Sequence, residues 1–226
     1  MIERTINWLA QRWLLLLIVM WSMFVWLPWL APVLMRLGWE SAAARIYMLY
    51  SVTCHQMPQR SFFLFGAKGM YELEVIQQAY RQTINLFELR QFVGSPALGW
   101  KVAWSDRMVS FYGGIWLWLV VWYVVPSRWL PRFSFIGFLL LAWPMMLDGT
   151  THMISDILYD IGSGFRDSNA WLALLTNSRF PDSFYRGDSF GTFNSLMRLI
   201  SGLMFSFGLV GWGLPHLDGR PPRRAL

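Results

Sequence analysis

"LLLLIVMWSMFVWLPWLAPVLM", Leu14 to Met35, contains no charged side chain. A helix needs roughly 20 apolar residues to cross the hydrocarbon core of a bilayer, so this run is long enough to span one. Arg4 and Arg12 precede it. Early arginines resemble those of a signal peptide, but the apolar stretch is too long and lacks a small-residue cleavage site, so it reads as a retained membrane helix.

The rest of the chain is of the same kind. Of its 226 residues 55% are hydrophobic, 18% aromatic and only 14% charged, whereas a soluble domain carries about 25% charged residues. The 15 tryptophans suit membrane interfaces, where an apolar ring can keep its N–H hydrated. The net charge of +6 does not mark a nucleic-acid binder, because the basic residues are scattered singly among apolar segments apart from "GRPPRRAL" at the C-terminal end. With one cysteine, Cys54, an internal disulfide and any multi-cysteine metal site are excluded, and the redox compartment cannot be read.

Three further apolar runs follow: Ser110 to Val125, ended by Pro126; Phe133 to Leu147, continuing helically past Asp148; and Phe193 to Leu214. The last carries Arg198 and the small residues Ser201, Gly202, Ser206, Gly208 and Gly211, which let helices approach closely in lipid. Four spans place Arg4 and Arg12, Arg128 and Arg132, and Arg220, Arg223 and Arg224 on one side, so the positive-inside rule expects both termini in the cytoplasm. The location expected is a prokaryotic cytoplasmic (inner) membrane. Residues 71–93 show apolar residues at helical spacing with acidic residues in the first turn and Arg90 in the last, which predicts an amphipathic outer helix. A short helix is expected over "NAWLALLTN", capped by Asp167 or Ser168. Residues 41–66 are too polar for a span and too apolar for a free loop, as in a re-entrant or interfacial segment. No repeat, low-complexity tract or linker divides the chain. The expectation is an all-α polytopic membrane protein, residues 1–226 forming one domain with four spans.

Ionisable residues at membrane depth are expensive to bury, and so are usually paired and often functional. The candidate cluster is Cys54, His55, Gln56, Arg60 and Ser61, then Asp106 and Arg107, then Asp148 and His152, with Asp156 one turn further on and Arg198 as an additional cation. Asp148, His152 and Asp156 fall at i, i+4 and i+8 on one helix face. Such a face can hold a metal or relay a proton; it can equally be an ion-paired cluster that fixes helix packing, Asp148 with Arg107 or Arg198 for example. Cys54 is as well suited to being a small buried hydrophobe as a reactive thiolate. His55 is expected to donate to a backbone carbonyl.

"CHQMPQRSFFLFG" from Cys54, "AWSDRMVSFYGG" from Ala103 and "PMMLDGTTH" from Pro144 together resemble an uncharacterised prokaryotic integral-membrane family, domain of unknown function 2085. The resemblance runs from about Ile46 to Gly211. It implies that Cys54, His55, Gln56, Pro58, Arg60 and Ser61 fill the family's first motif, that Arg107 keeps the arginine of the second, and that Asp148 and Gly149 keep the third. Where that pattern has paired central cysteines, this chain has Ser105 and Met108. A zinc site built on Cys54 would lack two sulfur ligands, so no bound zinc is expected.

The resemblance implies membrane location and fold and brings no activity. The reading favoured is an accessory or structural subunit of a larger membrane complex, an electron-transfer or photosynthetic one among the candidates, with the lipid bilayer and partner subunits as its contacts. The alternative is a membrane-embedded enzyme acting on a lipid-like or quinone-like substrate, with His55 or His152 as base and Arg60 or Arg107 holding an anionic group. A transporter ranks third, for want of a repeat and of further spans. No cofactor can be named from the sequence.

Overall fold

The computed structural model describes residues 2–217. Arg220, Arg223 and Arg224, used above for topology, lie outside the described residues. In chain order, α1 (Ile2–Arg36) is followed by α2 (Glu40–Tyr50), a 3-10 turn at Pro58–Arg60, β1 (Ser61–Leu64), α3 (Leu73–Ala79), α4 (Leu86–Leu89), β2 (Gly94–Ser95) and β3 (Gly99–Ser105). β3 runs directly into α5 (Asp106–Val124). A second 3-10 turn, Ser127–Trp129, precedes α6 (Phe135–Tyr159), the short helices α7 (Phe165–Ser168), α8 (Ala170–Leu175) and α9 (Asp182–Tyr185), and then α10 (Phe193–Leu217).

Among the described residues three helices are long and apolar enough to cross a membrane: Gln11–Arg36, Asp106–Val124 and Phe193–Leu217. They contain or overlap the runs expected at 14–35, 110–125 and 193–214. The run expected at 133–147 is the first part of α6, which continues to Tyr159 with Pro144 inside it. Asp148, His152 and Asp156 stand in its second part, and α6 is not among those three helices.

Helix α10 packs against both α5 and α6, and α5 packs against α1. The small residues of α10 permit the close approach. A side chain at Gly202 would collide with Ser110 of α5, and one at Gly114 with Ser206. On the other face, Gly208 leaves a Cβ only 2.9 Å from Leu141, and Gly211 leaves one 2.7 Å from the Phe133 ring. In lipid, where no hydrophobic force drives helices together, such contacts supply the packing energy.

Proline inside α1 opens a second kind of contact. Pro28 has no N–H to donate to the Phe24 carbonyl four residues back, and the buried Tyr50 hydroxyl of α2 donates to that carbonyl instead, at 2.7 Å. Trp104 of β3 then packs its ring against Phe24, Tyr50 and Tyr112, with centroids 4.9–5.2 Å apart. The break in α1 is thereby tied to α2, β3 and α5.

The all-α expectation is corrected by an antiparallel sheet of order β1-β3-β2. Ser61 pairs with Ser105, Phe63 with Lys101, and Gly94 with Trp100. "SFFL" and "GWKVAWS" are aromatic and β-branched enough for strands, yet too short for periodicity to separate them from helix. Gly94 and Gly99, at φ of 128° and 75°, make the turn that brings β2 onto β3.

The amphipathic helix expected over 71–93 is likewise corrected: it is two short helices, α3 and α4, interrupted at 80–85. Asn85 ends the interruption by accepting from the N–H groups of Phe87 (2.8 Å) and Glu88 (3.4 Å), so a capping side chain overrides the apolar stripe. Ile76 and Leu89 are buried while Ile84 and Phe87 are exposed, and no single apolar face survives. Residues 41–66 form α2, the first 3-10 turn and β1. The helix expected over "NAWLALLTN" is present as α8, but Asn169, left-handed at φ 41°, precedes it without a side-chain cap.

Candidate functional site

The first-motif residues do not converge with the others as one set. Cys54 lies between α2 and β3. Its sulfur accepts the N–H groups of Gln56 at 3.2 Å and Ser105 at 3.4 Å, and Sγ stands 3.5 Å from Ser105 Oγ. Gln56 adopts φ 54°, unusual for a residue with a side chain. Its buried side-chain amide donates to the Tyr47 carbonyl at 2.8 Å. Ser61 Oγ donates to the Met57 carbonyl and closes the 3-10 turn. His55 is exposed, and its expected bond to a backbone carbonyl is not among the hydrogen bonds of the described residues.

Lys101, a residue the sequence reading did not select, is fully buried in β3 and donates Nζ to the carbonyls of Gln56 (2.8 Å) and Arg90 (2.7 Å). Burial pushes its pKa down to about 7. Through these two bonds Nζ joins three chain segments, and no carboxylate pairs with it among the described residues.

The proximity of Cys54 to Ser105 yields a direct test. A sulfur in place of the Ser105 hydroxyl, which stands 3.5 Å from Cys54 Sγ, would lie within reach of Cys54. Ser105→Cys is expected to form a disulfide on mild oxidation, read as loss of both thiols to alkylation. Two thiols that remain titratable after oxidation would contradict the geometry.

The remaining candidates meet in a second place, where the N-terminal ends of α5 and α10 face the C-terminal half of α6. Four arginines and four aspartates are paired there. Asp106, 0% exposed, accepts Arg198 Nε at 2.8 and 2.9 Å and Ser195 Oγ at 3.1 Å. Its position in the first turn of α5 also suits a carboxylate. Arg198 donates onward to Asp188, to Oδ1 at 2.6 Å and to the backbone carbonyl at 2.5 Å. Asp188 also accepts Arg60 Nε at 2.6 Å. Arg60 then grips both oxygens of Asp156 through its two terminal nitrogens, at 2.9 and 3.0 Å, the fork geometry in which guanidinium binds carboxylate best.

Asp148 anchors the other corner. It accepts Arg107 at 2.7 Å and Arg166 at 2.5 Å. The expected Asp148–Arg107 pair is thus present, and Gly149 leaves the Arg107 guanidinium room, since a Cβ there would stand 3.3 Å from it. Arg166 also donates to His152 Nε2 at 3.1 Å, which leaves the ring proton on Nδ1, an atom without a partner among the described residues. Arg166 is held from behind: its carbonyl accepts the amides of Asn169 (2.7 Å) and Asn194 (2.6 Å).

Arg60, in the first motif, thus reaches Asp156 and Asp188 rather than Asp106 or Asp148. Arg166, Asp188 and Asn194 were not selected from the sequence. Asn194 and Arg198 share a face of α10 at i and i+4, which was a readable signal. Asp188, in the polar loop "RGDSFG", looks like an ordinary surface residue. Burial raises the Asp188 carboxyl, but the Arg60 and Arg198 cations outweigh burial and hold it well below the usual carboxylate range. Among the described residues no three His, Cys, Asp or Glu side chains are placed to hold a metal ion.

Asp167, beside this network, shifts the opposite way. Burial first, and then Asp188, push it up to about 6. Such a carboxyl binds its proton more readily folded than unfolded, so its contribution to stability falls as pH rises from about 4 to 6. Asp167→Asn retains an acceptor for the Gly164 N–H, bonded at 2.9 Å, and removes the charge. The variant should unfold at a higher temperature than the parent at pH 7.5, with the difference shrinking below pH 5. Lower stability at pH 7.5 would contradict this assignment.

The sequence family described as "Predicted membrane protein (DUF2085)" matches residues 96–211, a stretch from β3 through α5 and α6 into α10. It holds Asp106, Arg107, Asp148, His152, Asp156, Arg166, Asp188 and Arg198; the Cys54–Ser61 segment lies outside it. An uncharacterised protein of Methanocaldococcus jannaschii is 25% identical over 157 residues, covering 64% of this chain and 75% of that protein. No solved structure matches.

Proposed function

The chain belongs to the Predicted membrane protein (DUF2085) family, and from that premise we propose that it is a non-catalytic accessory subunit of a larger membrane assembly. The observation that carries this reading is the use made of its polar residues. Each of Asp106, Asp148, Asp156 and Asp188 is ion-paired with arginine, four carboxylates against four guanidiniums. A charge-balanced network of this kind holds helix ends together and leaves no free base beside a nucleophile. The catalytic alternative is disfavoured by the separation of its parts: His55 is exposed, Cys54 is packed against β3, and His152 is engaged by Arg166.

In this reading residues 1–226 form one domain in a prokaryotic inner membrane. Helix α6 is the fourth span, running antiparallel to α10, and its acidic half meets the network at the outer membrane surface. Both termini face the cytoplasm, and residues 41–66 lie in the outer interface. The partner docks on the outer cap, where α8 buries none of its residues and Leu174 and Leu175 are 85% and 75% exposed. That apolar surface is a better match for protein than for water.

Purification from native membranes in mild detergent, followed by mass spectrometry, tests the proposal. A stoichiometric protein partner is expected, and Leu174→Asp with Leu175→Asp should release it without loss of folded chain. Purification of the parent with no stoichiometric partner would overturn the subunit reading.

A further inference from the structure

A cavity of about 590 Å³ opens beside the ion network, between the start of α3, the α6–α7 connection and the α9 region. Its wall carries five carboxylates: Glu72, Glu74, Asp167, Asp182 and Asp188. Asp188 is neutralised by Arg60 and Arg198. The other four have no salt-bridge partner among the described residues, and Arg186 is the one basic residue in the wall.

A second, independent feature of the same wall is Gln59. It is 2% exposed, and neither its Oε1 nor its Nε2 has a hydrogen-bond partner among the described residues. A buried amide with both ends unpaired is costly to keep. The cost would be recovered if a ligand entering the cavity supplied N–H groups to Oε1. Leu73 and Ile161, also in the wall, offer aliphatic surface between the polar groups.

The excess negative charge excludes an anion. A bare metal ion is excluded by geometry, because no three His, Cys, Asp or Glu side chains among the described residues are placed to hold one. A cation that carries N–H donors and a methylene chain satisfies all three elements of the wall: carboxylates, amide oxygen and aliphatic surface. We propose that this cavity binds an alkylammonium group, the cationic end of an aliphatic amine. The amine can be free in solution or part of a lipid headgroup, since both present the same –NH₃⁺ on a carbon chain.

Spermidine, titrated into the purified protein by calorimetry, probes the first source. Nanodiscs of phosphatidylethanolamine compared with phosphatidylglycerol, read by thermal unfolding, probe the second. Saturable spermidine binding, weakened about tenfold or more by Glu74→Gln with Asp182→Asn, is expected if the amine is free. Stabilisation by phosphatidylethanolamine alone, removed by the same double variant, is expected if it is a headgroup. Both substitutions lie at exposed positions, so the variant should fold.

Gln59→Leu separates recognition from folding. It removes an unpaired buried amide and should unfold at or above the parent temperature, while weakening amine binding about tenfold. The proposal is overturned if neither amine source binds, if magnesium ion displaces spermidine at equal concentration, or if both variants bind like the parent.

Discussion

Arg198→Met will leave little folded protein in the membrane fraction, and will cost the protein that does fold about 3–5 kcal/mol of stability. Arg198 and Asp106 are fully buried, at the junction of β3, α5 and α10. Without Arg198, Asp106 keeps only the Ser195 hydroxyl and the backbone N–H of Arg107 as donors. Asp188 keeps Arg60 but loses its bond to the guanidinium in front and the bond that held its own carbonyl. A carboxylate stranded at a position 0% exposed has no water to turn to, so most of the lost pairing appears as lost stability. Methionine matches the arginine stem in length and apolar packing, so the loss reports on charge rather than on a void. Near-parental abundance and unfolding temperature would refute this.

Arg60→Ala will have the next largest effect, about 2–3 kcal/mol, less than a fully buried pair because its partner Asp156 is partly open to solvent. The Arg60 and Asp156 side chains are 14% and 18% exposed. The variant also has a pH signature. Asp188 titrates well below the ordinary carboxylate range when folded, so its contribution is fully present above about pH 4 and is lost as pH falls toward the folded value. Removing Arg60 takes away one of the two cations responsible. The acid-unfolding midpoint of Arg60→Ala should therefore lie at higher pH than the parent's, measured by tryptophan fluorescence on acid titration. An unchanged acid midpoint would mean that Arg60 does not set the Asp188 carboxyl.

The apolar runs were legible because membrane crossing is a matter of length and charge, both of which the sequence displays directly. Gly202, Gly208 and Gly211 could likewise be read as contact points within α10, although which neighbour each one meets could not. The strands were hidden for a physical reason. "SFFL" and "GWKVAWS" are stabilised by pairing across some forty residues, and nothing local distinguishes them from short buried helix. Asn85 shows the reverse case: one side chain caps α4 inside a stretch whose apolar pattern is continuous.

The candidate site was half legible. Asp106, Arg107, Asp148 and His152 stand at the ends of apolar runs, where charge is conspicuous. Their partnerships depend on how the 160–192 segment folds back across the helix ends, and that return brings in Arg166 and Asp188. The pairing of Arg60 with Asp188 joins residues 128 apart in the chain, a contact for which local sequence holds no signal. Cys54 and His55, adjacent in sequence, are used differently: the sulfur accepts from Gln56 and Ser105, while His55 is exposed.

The most direct test of the arginine–aspartate network as a structural frame is a double-mutant cycle across its most buried pair. Unfolding free energies of the parent, Asp106→Leu, Arg198→Met and the double variant are measured in the same detergent. If the pair holds the helix ends together, Arg198→Met alone leaves Asp106 buried without a cation and the double change does not, so the double variant should be more stable than the sum of the single losses predicts by about 2–3 kcal/mol. Additive losses, with a coupling close to zero, would contradict the account.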